Sequence, residues 1–334
     1  MFYRAQQLNP NCPHCFFHIS WSLIERKEYP RAIYCLKRVL ELDPEYDRAR
    51  ALMARAYRGM GEIEKAQAHC LEALREDPGD VDLICELGEM LAENGEMQRA
   101  VGKFRQAVDL APERTDARFA LAQSLLLADE PEEAVTEFEW VAQRDPDIMG
   151  LALQYGSALL RLGRLKDARR KLQQAVEDDP TSVNALMLLG NCLLRLQKPE
   201  AATERFRGVL AADASQPAAH HNLGVCCFLL GRHEEGIEHC RRAIELRPDY
   251  RMAILKTALA YQKIGRFAES QSMLAHGMKV DPENELFRQM ARRMWRVRIG
   301  YWVNRIKGAI RRLISPGRSE AKQETALPSR NGPG

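Results

Sequence analysis

The 334 residues carry 49 Lys and Arg against 46 Asp and Glu, a net charge of +3, with 46% hydrophobic and 28% charged residues. That balance is ordinary for a soluble helical protein and excludes a collagen-like or low-complexity chain. Nowhere do eighteen apolar residues run together without a charge, and the first twenty hold no apolar run of signal-peptide length, so the expected location is cytoplasmic.

A proline ladder sets the frame. Pro10, Pro44, Pro78, Pro112, Pro146, Pro180, Pro248 and Pro282 recur every 34 residues, and the missing rung is Ala214. With proline as position 32, eight units follow: 13–46, 47–80, 81–114, 115–148, 149–182, 183–216, 217–250 and 251–284. Position 8 is small throughout, from Ser20 and Gly88 to Gly224 and Ala258, and position 20 likewise runs from Ala32 to Ser270. Small residues let two antiparallel helices approach, so these columns predict a crossing of a first helix with a second in each unit. Position 15 is Gly61, Gly95, Gly163, Gly231 and Gly265 in five of the eight units, which predicts a left-handed cap on the first helix. Proline at 32 ends the second helix, because it cannot continue the hydrogen-bond ladder.

These columns, clearest in Leu186, Leu189, Gly190, Ala202, Phe206 and Val209, make residues 13–284 resemble the tetratricopeptide repeat family. The departures are an absent Trp at position 4 and Ala214 in unit six. The resemblance implies an all-α, right-handed superhelical solenoid of helix-turn-helix repeats. It also implies a concave groove lined by first-helix positions 2, 5, 6, 9, 12 and 13, in which a partner's extended segment or helix lies.

In chain order, residues 1–12 read as a truncated half-repeat, because Phe2, Ala5 and Pro10 fall on second-helix positions. Cys12-Pro-His-Cys15 follows, with His18 one turn on. A CxxC at a helix start has a redox flavour. The oxidoreductases it resembles, however, need a βαβ frame that this register excludes, and three ligands fall short of a structural zinc set. The plainer reading is ordinary residues of unit one, with no metal and no cofactor. Nine cysteines at irregular places form no secreted disulfide framework and read as small buried groups in a reducing compartment.

The groove columns are graded. Unit one offers Phe17, Trp21 and Ile24, unit two Arg48, Arg55 and Arg58, and unit three reverses sign with Asp82, Glu86, Glu89 and Glu93. Phe119, Leu126 and Leu127 make unit four more apolar; Arg161, Asn191, Arg195, Asn222, Lys256 and Lys263 make the rest polar. Asn191, Asn222 and Lys256 partly match the family's clamp for a peptide carboxylate, but Met187 and Met252 replace both of its lysines, so an acidic or amide-rich peptide is expected rather than a full clamp. Unit seven crowds His220, His221, Cys226, Cys227, His233, His239 and Cys240, which helical facing is expected to scatter, with His221 toward the groove.

From Leu286 onward twelve basic residues meet only Glu320 and Glu324, a net of +10 that leaves −7 for residues 1–285. Residues 285–314 read as one helix, with Leu286–Val297 capping unit eight. Trp295, Ile299, Trp302, Val303, Ile306, Ile310 and Leu313 share one face of it, and Arg298, Arg305 and Arg312 another. Residues 315–334 read as a disordered tail. No phosphate loop, nucleophile elbow or HExxH motif occurs. The expected function is a non-enzymatic protein–protein adaptor. The alternative is a peripheral membrane scaffold held by Arg298, Trp302, Arg305 and Arg312 on an anionic surface; neither nucleic acid nor a small-molecule substrate is expected.

Overall fold

The computed structural model describes residues 11–46 and 48–314, without the side chains of 308, 309 and 311–314. The expected half-repeat before residue 11, the tail after 314 and the side chain of Arg312 lie outside the described residues. Seventeen helices and no strand occur among those described.

The helices come in pairs on the proline period. First helices are α1 (Pro13–Glu25), α3 (Ala49–Gly59), α5 (Val81–Glu93), α7 (Thr115–Leu127), α9 (Leu151–Arg161), α11 (Val183–Arg195), α13 (Pro217–Leu229) and α15 (Arg251–Lys263). Second helices are α2 (Tyr29–Leu42), α4 (Ile63–Glu76), α6 (Met97–Leu110), α8 (Pro131–Arg144), α10 (Leu165–Asp178), α12 (Pro199–Ala212), α14 (His233–Leu246) and α16 (Phe267–Val280). Every second helix has 14 residues. A last helix, α17 (Glu285–Ile314), follows. The chain divides after Asp178 into two compact units. Each unit is an all-α helical-repeat solenoid, in which a helix packs mainly on those before and after it.

The turn inside each pair is the most regular feature. Position 15 has positive φ in all eight repeats, at Gly61, Gly95, Gly163, Gly231 and Gly265 but also at Lys27, Asp129 and Gln197. The residue after it donates its N–H back to position 11, as in Glu28 to Leu23 at 2.8 Å, Glu130 to Leu125 at 2.9 Å and Lys198 to Leu193 at 2.9 Å. That is a Schellman closure, and packing of the two helices imposes it where the sequence lacks glycine.

Position 8 does its work against position 24 of the second helix as much as against position 20. A Cβ on Gly190 would come within 2.5 Å of the Phe206 ring, and one on Gly156 within 2.7 Å of Leu172. In repeat seven the backbone of the second helix also comes near, since a Cβ on Gly224 would meet both Cys240 Sγ at 2.5 Å and the Gly236 carbonyl at 2.9 Å. Phe104, Phe138, Leu172 and Phe206 are among the largest fully buried side chains, so the core runs along this column.

The missing proline rung leaves no mark. Asp213 keeps the extended backbone of its counterparts, φ −146°. Its carboxylate accepts from the Ser215 N–H at 2.9 Å and hydroxyl at 2.6 Å, and Asp77 and Asp179 make the same N–H turn.

α17 closes the second unit. Phe287 is buried against Gly277, and Met290, Ala291 and Met294 continue onto Ile254, Ala258 and Leu274. The packing reaches beyond the expected Val297. Tyr301 sets its ring over Gly265 and edge-on to Phe267 at 5.4 Å, and its hydroxyl donates to the Ile264 carbonyl at 3.4 Å.

Candidate functional site

In the first compact unit the first helices of repeats one to four present one face to a cavity of about 620 Å³. Trp21, Arg55, Glu86 and Glu89 line it, together with Leu52, Leu83 and Cys85. Trp21 is 45% exposed there. The charges facing the cavity are six carboxylates, of Asp77, Asp80, Asp82, Glu86, Glu89 and Asp116, and three guanidiniums, of Arg48, Arg55 and Arg114.

Arg55 and Arg114, and Arg58 just outside the cavity, are partly neutralised from within. A step of 31 residues carries one first helix onto the next, and it brings Arg55 to Glu86 at 2.8 Å and Arg58 to Glu89 at 2.8 Å. Arg58 also holds Glu93 at 2.6 Å, and Arg114 holds Asp82 at 2.5 Å and Asp116. Burial pushes the Glu86 carboxyl above its ordinary range, against the pull of Arg55 and Arg58. The basic column of repeat two is thus matched by the acidic column of repeat three, and carboxylate remains in excess.

Two further groove residues are engaged by the unit itself. Phe119 is half-buried, edge-on to Phe138 at 5.9 Å. Arg161 donates to the Leu126 carbonyl at 2.7 Å and lies 3.6 Å from Asp129. In the second unit the same 31-residue step joins Asn222 to Asn191, amide to amide, at 2.9 Å. Lys256 is half-buried and Arg195 is exposed.

Repeat seven corrects one expectation. His221 is buried, not turned to the groove; its ring tilts against Tyr250 at 5.1 Å. Burial, with Lys256 and Arg247 nearby, pulls its pKa down to about 4. Cys227, Glu235 and His239 bring donor atoms within 4.8 Å of one another. Burial pushes the Cys227 thiol up to about 11, which keeps it protonated beside Glu235.

At the amino end Cys12 and Cys15 form a disulfide, which differs from the expectation of free thiols. The first helical turn explains it, since it sets their Cα atoms 5.4 Å apart, within disulfide reach. With both sulfurs joined, the pair plus His18 is not a thiolate ligand set; His18 instead sits edge-on to His14 at 6.2 Å. The other seven cysteines are free thiols, and all but Cys85 are buried.

On α17 the outer stripe is in solvent, with Trp302 50% exposed beside exposed Arg298 and Arg305. No helix among the described residues is long and apolar enough to cross a membrane.

No curated protein matches the sequence. Among solved structures the chain is similar to YrrB, "a TPR protein with an unusual peptide-binding site", at 24% identity over 55% of this chain and 95% of that one, with a TM-score of 0.50. It is similar to a chain of the APC/C hetero-tetramer Cut9-Hcn1 at 16% identity, over 84% of this chain and 55% of that one, TM-score 0.55. Likeness to pilF of Pseudomonas aeruginosa covers 63% of this chain and 96% of that one at 19% identity, TM-score 0.53. At such identities the likeness is one of fold. A tetratricopeptide repeat profile matches residues 23–84, 91–154 and 159–224, and a second profile of that repeat matches 217–250. With more than half of its length matched by one repeat profile and its helices paired on a 34-residue period, the chain belongs to the tetratricopeptide repeat family.

Proposed function

We propose that this protein is a non-enzymatic scaffold that holds an extended segment of a partner protein against the first helices of repeats one to four. Proteins of this family bind protein or peptide partners, and the coarse role of interaction scaffold follows from membership. The finer reading rests on one observation, the cavity beside Trp21 with six carboxylates and three guanidiniums. That excess favours a segment bearing Lys or Arg, with an apolar side chain against Trp21. An acidic peptide, expected from the polar columns of the later repeats, fits this cavity poorly, because carboxylates outnumber guanidiniums in its lining.

The test is a calorimetric titration of the intact chain with a lysine-rich extended peptide and its glutamate counterpart. Tighter binding of the lysine peptide, weakened by added salt and by Glu86→Gln with Glu89→Gln, supports the reading. Equal binding of both peptides contradicts it.

A second reading, in which α17 attaches the scaffold to a membrane surface, is favoured by the exposed outer stripe of that helix, where Trp295, Ile299 and Trp302 stay in solvent.

A further inference from the structure

We propose that α17 seats this protein on an anionic lipid surface, its outer stripe lying among the headgroups and its arginines on their phosphates. This rests on the membrane reading of α17 and adds the lipid chemistry.

The helix has two apolar faces. One, Phe287, Met290, Met294 and Tyr301, is spent on the repeats. The other, Trp295, Ile299, Trp302, Ile306 and Ile310, advances by steps of 4, 3, 4 and 4 and lies about 130° further round the helix. Its members are 47–59% exposed, so about half of each stays in solvent. Elsewhere the large exposed apolar residues stand mostly alone, one to a helix, as Tyr34, Leu71 and Leu110 do.

Charge decides what covers the stripe. Between Leu286 and Ile314 there are nine basic residues and no carboxylate. Arg298 and Arg305 border the stripe on one side, Arg296 and Lys307 on the other. Arg296 lies 5.3 Å from the Trp295 ring and Arg305 5.7 Å from that of Trp302, so cationic groups stand beside the apolar ones. Pairing of this stripe with that of a second copy would press its four bordering cations, Arg296, Arg298, Arg305 and Lys307, against the same four of the other copy. An anionic bilayer removes that repulsion and takes up a convex ridge without needing a matching shape. Beside the stripe, a groove of about 830 Å³ runs between α16 and α17, lined by Ala275, Met278 and Met294 with Arg298 at its edge, while Arg266 there is paired with Glu269 at 2.8 Å. Apolar lining with the Arg298 guanidinium beside it is the chemistry of an acyl chain and its phosphate.

The experiment is flotation of the intact chain with vesicles of phosphatidylcholine alone and of phosphatidylcholine with phosphatidylglycerol. The variants are Ile299→Glu with Ile306→Glu, and Arg298→Gln with Arg305→Gln; Phe287 and Tyr301 are untouched, so an unchanged melting temperature verifies the fold. Capture by the phosphatidylglycerol vesicles alone is expected, abolished by the glutamates and weakened about tenfold or more by loss of the two arginines. Equal capture by both kinds of vesicle overturns the anionic specificity while the membrane reading survives. Capture by neither overturns both. A dimer in sedimentation velocity that the Ile299→Glu, Ile306→Glu variant dissolves would give the stripe to a second copy and also overturn the proposal.

Discussion

Arg55 on α3 and Glu86 on α5 face each other at 2.8 Å, and Glu86 is the more enclosed of the two. The pair is the pattern of the groove in small. A charge on one first helix is answered 31 residues later on the next, and what a partner meets is the surplus. Removing Glu86 should therefore cost little stability and more affinity. For Glu86→Gln a thermal melt should show a loss of no more than about 1 kcal/mol, as for other partly exposed pairs, while affinity for a lysine-rich peptide falls severalfold.

The eight Schellman closures give a prediction about stability. Lys27, Asp129 and Gln197 hold the left-handed conformation that glycine holds in the other repeats. Replacing each with Gly should raise stability by about 0.5–1 kcal/mol, since it relieves the Cβ clash at the cost of some unfolded-chain entropy. Gly163→Ala should do the reverse by a similar or larger amount. Chemical denaturation of the single variants checks both signs.

His221 predicts an acid limit. Its pKa is near 4 in the folded chain against an ordinary value of 6.5. The unfolded chain therefore binds a proton first as pH falls. The stability that the neutral imidazole contributes is whole above about pH 6.5 and is lost between there and about pH 4, roughly 2–4 kcal/mol in all. His221→Leu should flatten that slope in urea melts at stepped pH; an unchanged slope would assign it to other groups.

Phe287 is the anchor of the closing helix. It is 2% exposed and lies against Gly277, where a Cβ would come within 2.5 Å of its ring. Phe287→Ala should cost about 3–5 kcal/mol in the second compact unit, seen as early loss of amide protection in α16 and α17.

Much of this was legible in the sequence because a repeat states each rule many times. The 34-residue period, the small column at position 8 and glycine at position 15 sufficed to place all eight helix pairs. Lys27, Asp129 and Gln197 were not legible as left-handed, since side-chain preference argues against it and only packing of the pair enforces it. Tyr301 leaves a trace in the sequence. It stands seven residues beyond Met294 and fourteen beyond Phe287, a heptad pointing at the repeats rather than away. The column of His221 points to the groove, yet its ring lies tilted against Tyr250. The columns of Arg55, Arg58, Glu86 and Glu89 are legible by position, whereas their mutual pairing depends on how far one first helix is offset from the next.

The most direct test of the groove uses Cys85. It lines the same cavity as Trp21, Glu86 and Glu89, and it is the one free thiol that is not buried. The rate of its alkylation should be measured with and without a saturating lysine-rich peptide. The account predicts that the bound peptide slows modification of Cys85 and that Glu86→Gln with Glu89→Gln restores the rate. An unchanged rate while the peptide stays bound would place the partner elsewhere and contradict it.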